Sequence, residues 1–219
     1  MDKLFLLDAY ALIFRAYYAM IRSPRYNSKG MNTSAVFGFV NTLDEVLKKE
    51  NPTHIGIAFD PAGPTFRHEI FPQYKAQREE TPEDIRKAVP YIKEIIKAYR
   101  IPILEVTGFE ADDVIGTLSH QAEQQGFFTY MVTGDKDFGQ LVTPNIKVYD
   151  PLKKVILGVE EVNEKYGIEN PTQLIDILGL MGDTADNIPG CPGVGPKTAE
   201  KLIQQYGSIE NLLEHTDEL

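Results

Sequence analysis

Cysteine is nearly absent from this 219-residue chain: the single Cys191 rules out an internal disulfide. It sits between Gly190 and Pro192 with no histidine or basic residue beside it to lower the thiol pKa for nucleophilic work. Histidine is scarce as well, and His54, His68, His120 and His215 lack the paired spacing of zinc sites. No apolar stretch approaches the ~20 residues that a membrane-spanning helix requires. There is no low-complexity tract and no D-x-D-x-D-G calcium loop. Lys3 is the only basic residue ahead of a short apolar run that lacks a small-residue cleavage site, which argues against a secretory signal. What remains is a globular, cytoplasmic, non-membrane protein, long enough to bury roughly 70% of its unfolded surface.

Positive charge is also in deficit, with 22 Lys and Arg against 32 Asp and Glu for a net −10. That balance ordinarily disfavours nucleic acid as a partner. The acidity is concentrated, however. Asp8, Asp60, Glu110, Asp112, Asp113, Asp135, Asp137, Asp183 and Asp186 fall in short clusters, most of them directly behind apolar runs, and without these nine the chain has 22 basic and 23 acidic residues. If they converge, they must either take raised pKa values or bind cations.

The apolar runs Leu4 to Leu7, Ile55 to Phe59, Ile103 to Val106 and Phe127 to Val132 read as buried parallel strands. Helical patterns alternate with them at about Ala9 to Ile21, Thr33 to Lys49, Pro82 to Tyr99 and Asp112 to Gln125. Such alternation predicts an α/β layer structure with right-handed crossovers, in which ligands bind outside the carboxyl ends of the strands. The acids then share one rim. Each cluster also has a plainer explanation: Asp112 and Asp113 as first-turn anions of a helix, Asp135-Lys136-Asp137 as a polar turn, Asp183 and Asp186 as a helix terminator. Their recurrence at successive strand ends favours the rim.

Two further segments bear on function. From Asn187 to Ala199, three glycines and three prolines break any helix; Pro196 suits the first position of the helix that follows, and Gly207 its end. This reads as a helix-hairpin-helix whose backbone N–H groups at Gly190, Gly193, Gly195 and Thr198, with the charge of Lys197, suit a phosphate. Between Arg67 and Tyr99, Tyr74-Lys75-Ala76-Gln77-Arg78 joins an aromatic to two cations, a combination suited to single-stranded nucleic acid. Thr81-Pro82 reads as a helix start, with Thr81 as N-cap, and Pro90 predicts a kink near Val89.

An all-carboxylate donor set suits Mg²⁺ or Mn²⁺. Two such ions about 4 Å apart can activate water and stabilise both oxygens of a phosphodiester displacement, with Arg15 and Arg67 placed to neutralise transition-state charge. A junction-binding protein without catalysis and a ribonuclease of the PIN type are the rival classes; hydrolysis separates the first, and the hairpin argues against the second.

The segments Leu6-Leu7-Asp8 with Arg15, Phe59-Asp60 with Phe66-Arg67, Tyr74-Lys75-Ala76-Gln77-Arg78, Gly108-Phe109-Glu110-Ala111-Asp112-Asp113, Thr133-Gly134-Asp135-Lys136-Asp137 and Gly182-Asp183-Thr184-Ala185-Asp186-Asn187-Ile188-Pro189-Gly190 together resemble the flap endonuclease family, which includes the 5′ nuclease (5′→3′ exonuclease) domains of bacterial DNA polymerase I. The resemblance spans essentially the whole chain. It implies a PIN-like (resolvase-like) α/β domain over 1–170, with a mostly parallel central sheet flanked by helices and a helical arch at about 66–99, followed by a helix-hairpin-helix region over 171–219. It also implies a metal-dependent nuclease acting on DNA with 5′ flaps, nicks or RNA primers in replication and repair. Residues matching Asp8, Asp60, Glu110 and Asp112 would surround one Mg²⁺ or Mn²⁺, and Asp135, Asp137, Asp183 and Asp186 the second, with Asp113 a further acidic position. Arg15 and Arg67 would approach the scissile phosphate, Tyr74, Lys75 and Arg78 would lie at the arch, and the hairpin would hold duplex backbone with K⁺ on its carbonyls. The family's nuclease domains run on further, so a monomeric fragment of a longer chain, joined to polymerase domains, is expected.

Overall fold

The computed structural model describes residues 2–218; Met1 and Leu219, the outer ends of the two expected regions, lie outside them. The alternation read from the sequence is realised as β1 (Lys3–Asp8), α1 (Ala9–Ala19), α2 (Ser34–Glu45), β2 (His54–Ala58), α3 (Phe66–Ile70), α4 (Glu83–Ala98), β3 (Ile103–Leu104), α5 (Ala111–Gln124) and β4 (Phe128–Val132). There follow β5 (Ile146–Asp150), β6 (Val155–Leu157), α6 (Val159–Tyr166), α7 (Gln173–Met181), α8 (Pro196–Tyr206) and α9 (Ile209–Glu214). Among the described residues six strands form one sheet in the order β3-β2-β1-β4-β5-β6, parallel except for β6.

Both faces of the sheet are covered, and the side-chain period of two sorts residues between them. Phe5, Leu7, Ile57 and Val132 join α1, α2 and α4 in one core, whereas Leu6, Ala58, Met131 and Val148 join α5, α7 and α8 in the other. Burial on both sides explains why these strands read as unbroken apolar runs.

Several expectations need correction. β3 stops at Leu104, two residues short of the predicted Val106. β5 and β6 were not anticipated; in β5 Ile146, Val148, Tyr149 and Asp150 are buried and only Lys147 is half-buried. α4 is capped by Pro82, one residue later than predicted, and runs without a break through Pro90. Pro90 is exposed, on the side of the helix where a freed carbonyl can be solvated.

The stretch 66–99, expected as a helical arch, comprises α3, a connecting segment and α4. Its second half is α4, whose Ile85, Ala88, Ile92 and Ile96 are fully buried against the α1–α2 side of the sheet. The segment after α3 instead folds down on the loop following α7. Lys75 N–H donates to the Asp186 carbonyl at 2.9 Å, and the Asn187 amide donates to the Gln73 carbonyl at 2.7 Å.

The hairpin between α7 and α8 forms as the prolines and glycines suggest. Pro196 takes the first turn of α8, Gly195 is its N-cap and Gly207 ends it with φ 81°. Gly182 and Gly190 are there for a different reason: a Cβ on Gly190 would lie 2.4 Å from the Met181 carbonyl carbon, and one on Gly182 2.3 Å from Gly190 N. The two chain segments touch backbone to backbone. Close backbone packing therefore requires glycine at 190.

Candidate metal-dependent nuclease site

Strand register builds the site. Asp8 is level with Ala58 of β2, two residues before Asp60. Leu7 is level with Val132, and Val132 with Tyr149, so Asp8, Thr133 and Asp150 are the next residues out on three adjacent strands. Asp8 doubles as N-cap of α1, accepting from Ala11 N–H at 3.0 Å, while its other oxygen accepts from the Thr133 hydroxyl at 3.0 Å. Thr133 is fully buried and its Oγ1 also accepts from Asp135 N–H at 3.1 Å. One hydroxyl thus ties two strand-end acids together. Asp60 accepts from Ala111 N–H at 2.7 Å, which pins the start of α5 to the end of β2.

Asp8, Asp60, Glu110, Asp112 and Asp135 line a single open cleft of about 670 Å³, with Lys75, Arg78 and Lys93 on its walls. Burial dominates the electrostatics of Asp8 and Asp112. It pushes the Asp8 carboxyl up to about 6, partly offset by its two hydrogen bonds. Burial and then the charges of Asp8, Asp135, Asp60 and Glu110 push Asp112 up to about 8, with no hydrogen bond to its carboxylate among the described residues. Beside these five, Asp137 is raised to about 6 by burial and by Asp135, with Asp183 and Asp186 adding to the shift. Its Oδ1 is buried without a hydrogen-bond partner among the described residues.

Side-chain cations hold several of the remaining acids. Lys75 Nζ lies 3.0 Å from each oxygen of Glu110, Arg78 pairs with Asp186, and Lys136 stands 3.6 Å from Asp183. As arranged here, no three acidic, His or Cys side chains among the described residues form a ready ligand group. The donor chemistry nonetheless fits hard divalent cations: every donor is a carboxylate oxygen, Asp112 and Asp137 Oδ1 lack partners among the described residues, and burial together with neighbouring carboxylates raises the pKa of Asp8, Asp112 and Asp137.

Two residues expected in the site do other work, and a third, Arg15, stands outside the cleft lining. Tyr74 is no stacking platform, because its ring is buried and its hydroxyl lies 2.9 Å from Glu110 Oε2 and 3.0 Å from Asp186 Oδ2. Burial and those two carboxylates raise its pKa and keep the phenol protonated. Asp113 turns away from the cleft: Arg67 grips it through two bonds of 2.7 and 2.8 Å, and it accepts from Glu110 N–H at 2.9 Å. Burial opposes ionisation of Asp113, but Arg67 and that N–H outweigh it and its pKa falls. Arg15 is absent from the cleft lining and is held by Asp150 at 3.1 Å. Sequence reasoning missed Thr133, Lys93 and Asp150. Only Asp150 carried a signal, as one more acid ending a strand-like segment, although Lys147 interrupts its apolar run.

Family comparison resolves what this rim belongs to. Residues 3–167 match the model of the 5′-3′ exonuclease N-terminal resolvase-like domain, and 169–219 that of the 5′-3′ exonuclease C-terminal SAM fold. The chain belongs to the 5′-3′ exonuclease family. It is 46% identical to DNA polymerase I of Bacillus caldotenax, over 99% of this chain and 25% of that protein. It is 40% identical to a 5′-3′ exonuclease of Aquifex aeolicus, over 98% of this chain and 73% of the relative. The chain thus spans about a quarter of the length of the DNA polymerase I relatives it matches. In fold it is similar to the T5 5′-exonuclease solved with zinc (TM-score 0.79, 21% identity, covering 98% of this chain and 79% of that one). It is also similar to the catalytic core of Rad2 solved with a DNA substrate (TM-score 0.60, 20% identity, 96% and 64%). Among the described residues no helix is long and apolar enough to cross a membrane.

Proposed function

We propose that this member of the family is a Mg²⁺- or Mn²⁺-dependent structure-specific 5′ nuclease, hydrolysing phosphodiesters at 5′ ends, 5′ flaps and RNA primers during replication and repair. The observation that carries the reading is the single cleft lined by five strand-end carboxylates, of which Asp112 has no partner of its own. Asp8, Asp60, Glu110 and Asp112 would hold one cation, and Asp135, Asp137, Asp183 and Asp186 the other. When bound, such ions supply Lewis-acid stabilisation and a nucleophilic water at neutral pH.

The chain's own groups have distinct tasks. Glu110, held by Lys75 and Tyr74, would share its oxygens with a bound cation, and the Lys75 ammonium beside the cleft would then be available to a phosphate. Arg78 faces the same exchange at Asp186. Arg67, fixed by Asp113, keeps a permanent positive charge within 3.9 Å of Glu110 and opposes charge that develops on a reacting phosphate. The α7–α8 hairpin would grip duplex backbone through Gly193, Gly195, Thr198 and Lys197, with K⁺ on its carbonyls. Lys197 and Thr198 are exposed, and Lys197 makes no ion pair among the described residues. In this reading the chain is a monomeric cytoplasmic nuclease unit joined to polymerase domains.

The test is cleavage of a 5′-flap duplex with Mg²⁺ and then with excess EDTA. Activity that survives EDTA, or a wild-type rate in Asp112→Ala, overturns the reading. Product ends of 5′-phosphate and 3′-hydroxyl are expected.

A further inference from the structure

One strand-end acid belongs to neither proposed cation group. Asp150 closes β5 one position beyond Tyr149, at the same level as Asp8 and Thr133, and is only 8% exposed. Its Oδ1 accepts from Leu152 N–H at 3.0 Å and Lys153 N–H at 3.3 Å, so the following turn fixes the carboxylate. The same oxygen takes Arg15 Nη1 at 3.1 Å. That is the one side-chain hydrogen bond of Arg15 among the described residues, which leaves the rest of its planar donor fork unused. The guanidinium lies against Gly134, where a Cβ would stand 3.7 Å from Nη1, next to Asp135 in sequence. Burial lowers the Arg15 pKa, while Asp150 and then Asp8 support its charge.

A half-buried arginine with spare donors, anchored by an acid that lies outside both proposed metal groups and also has Lys153 Nζ 3.6 Å from its Oδ2, is an arrangement suited to a phosphate. We infer that Asp150 is a positioning residue that holds the Arg15 guanidinium at the edge of the carboxylate rim to receive a backbone phosphate of the nucleic-acid substrate. The inference rests on the nuclease reading above.

Two opposite signs separate this role from that of an ordinary acid. A plain carboxylate near a DNA-binding face repels phosphate, so Asp150→Asn should tighten binding. A positioning carboxylate predicts the reverse. Asparagine keeps the size and can still accept the Leu152 N–H, so the turn survives. The measurement is affinity for a 5′-flap duplex by fluorescence anisotropy in Ca²⁺, across a salt series, alongside kcat/KM in Mg²⁺. Asp150→Asn is expected to weaken binding about tenfold, the scale of one charge-assisted hydrogen bond, and to reduce the salt slope by about one ion. Arg15→Ala should give the same two changes. In the Arg15→Ala background, Asp150→Asn should weaken binding no further.

The inference is overturned if Asp150→Asn binds the flap as tightly as wild type or tighter, or if the two substitutions multiply. Thermal melting checks the fold, and should Asp150→Asn not fold, Asp150→Ser, which retains a turn acceptor, carries the same comparison. A wild-type protein that leaves the flap uncut in Mg²⁺ would instead defeat the nuclease reading.

Discussion

Asp112→Asn gives the sharpest test of how the acidic rim is held together without metal. The Asp112 carboxyl is raised from 3.8 to about 8, first by burial and then by Asp8, Asp135, Asp60 and Glu110. An acid whose pKa is raised on folding contributes stability that is fully present below its unfolded pKa. That stability is lost as pH rises through the folded value. The window therefore runs from about pH 4 to about pH 8, and within it this one group costs about 1.4 kcal/mol of stability per pH unit. Summed over the window, the cost reaches about 5 kcal/mol at pH 8. Relaxation of the cleft, and the cost of desolvating an asparagine amide, reduce the measurable gain of Asp112→Asn to about 2–4 kcal/mol.

For a chain of this size that gain corresponds to a rise in Tm of about 5–12 °C in EDTA at pH 8, shrinking to little at pH 4. Saturating Mg²⁺ should narrow or reverse the gap, because a bound cation stabilises the wild type by mass action. The same substitution should abolish flap cleavage. Calorimetry or urea titration at pH 4, 6 and 8, with and without Mg²⁺, reads all of this. Equal melting of the two proteins in EDTA at pH 8, or a gain independent of pH, would refute the argument that Asp112 is ionised at a cost.

Tyr74→Phe removes the hydroxyl beside Glu110 and Asp186; melting should show a loss of about 1–3 kcal/mol, and flap cleavage should fall while stacking-dependent binding of single strands does not change. Gly190→Ala puts a methyl against the Met181 backbone and should destabilise the α7–α8 hairpin by more than 2 kcal/mol, since neither side is a flexible side chain; denaturant midpoints check it. Lys197→Ala should weaken duplex binding evenly across sequences and lower the salt slope by about one ion, and an unchanged slope would return the hairpin to a packing role.

The linear order of residues determined the alternation of strands and helices, the strand ends at which acids sit, and the hairpin bounded by Pro196 and Gly207. These follow from local rules: apolar runs long enough for buried strands, side chains that cap or break helices, glycines where backbone must turn. Seven of the nine acids could be picked out because their clusters follow apolar, strand-like runs, and a family resemblance then sorted all nine. Asp150 also ends a strand, but Lys147 interrupts the apolar run that would mark it.

Tertiary structure alone decided which groups face each other. Nothing local marks Thr133 as the hydroxyl that joins Asp8 to Asp135 across two strands. Tyr74, beside Lys75 and Arg78, has the composition of a nucleic-acid contact, yet its ring is buried because the loop after α7 supplies Asp186 opposite Glu110. Asp113, adjacent to Asp112 in sequence, points to Arg67 instead, since successive helical residues project about 100° apart. Periodicity and end signals act within a few residues and can be read from the chain; the pairing of charges depends on contacts between residues far apart in sequence, and those exist only once the sheet has set its register.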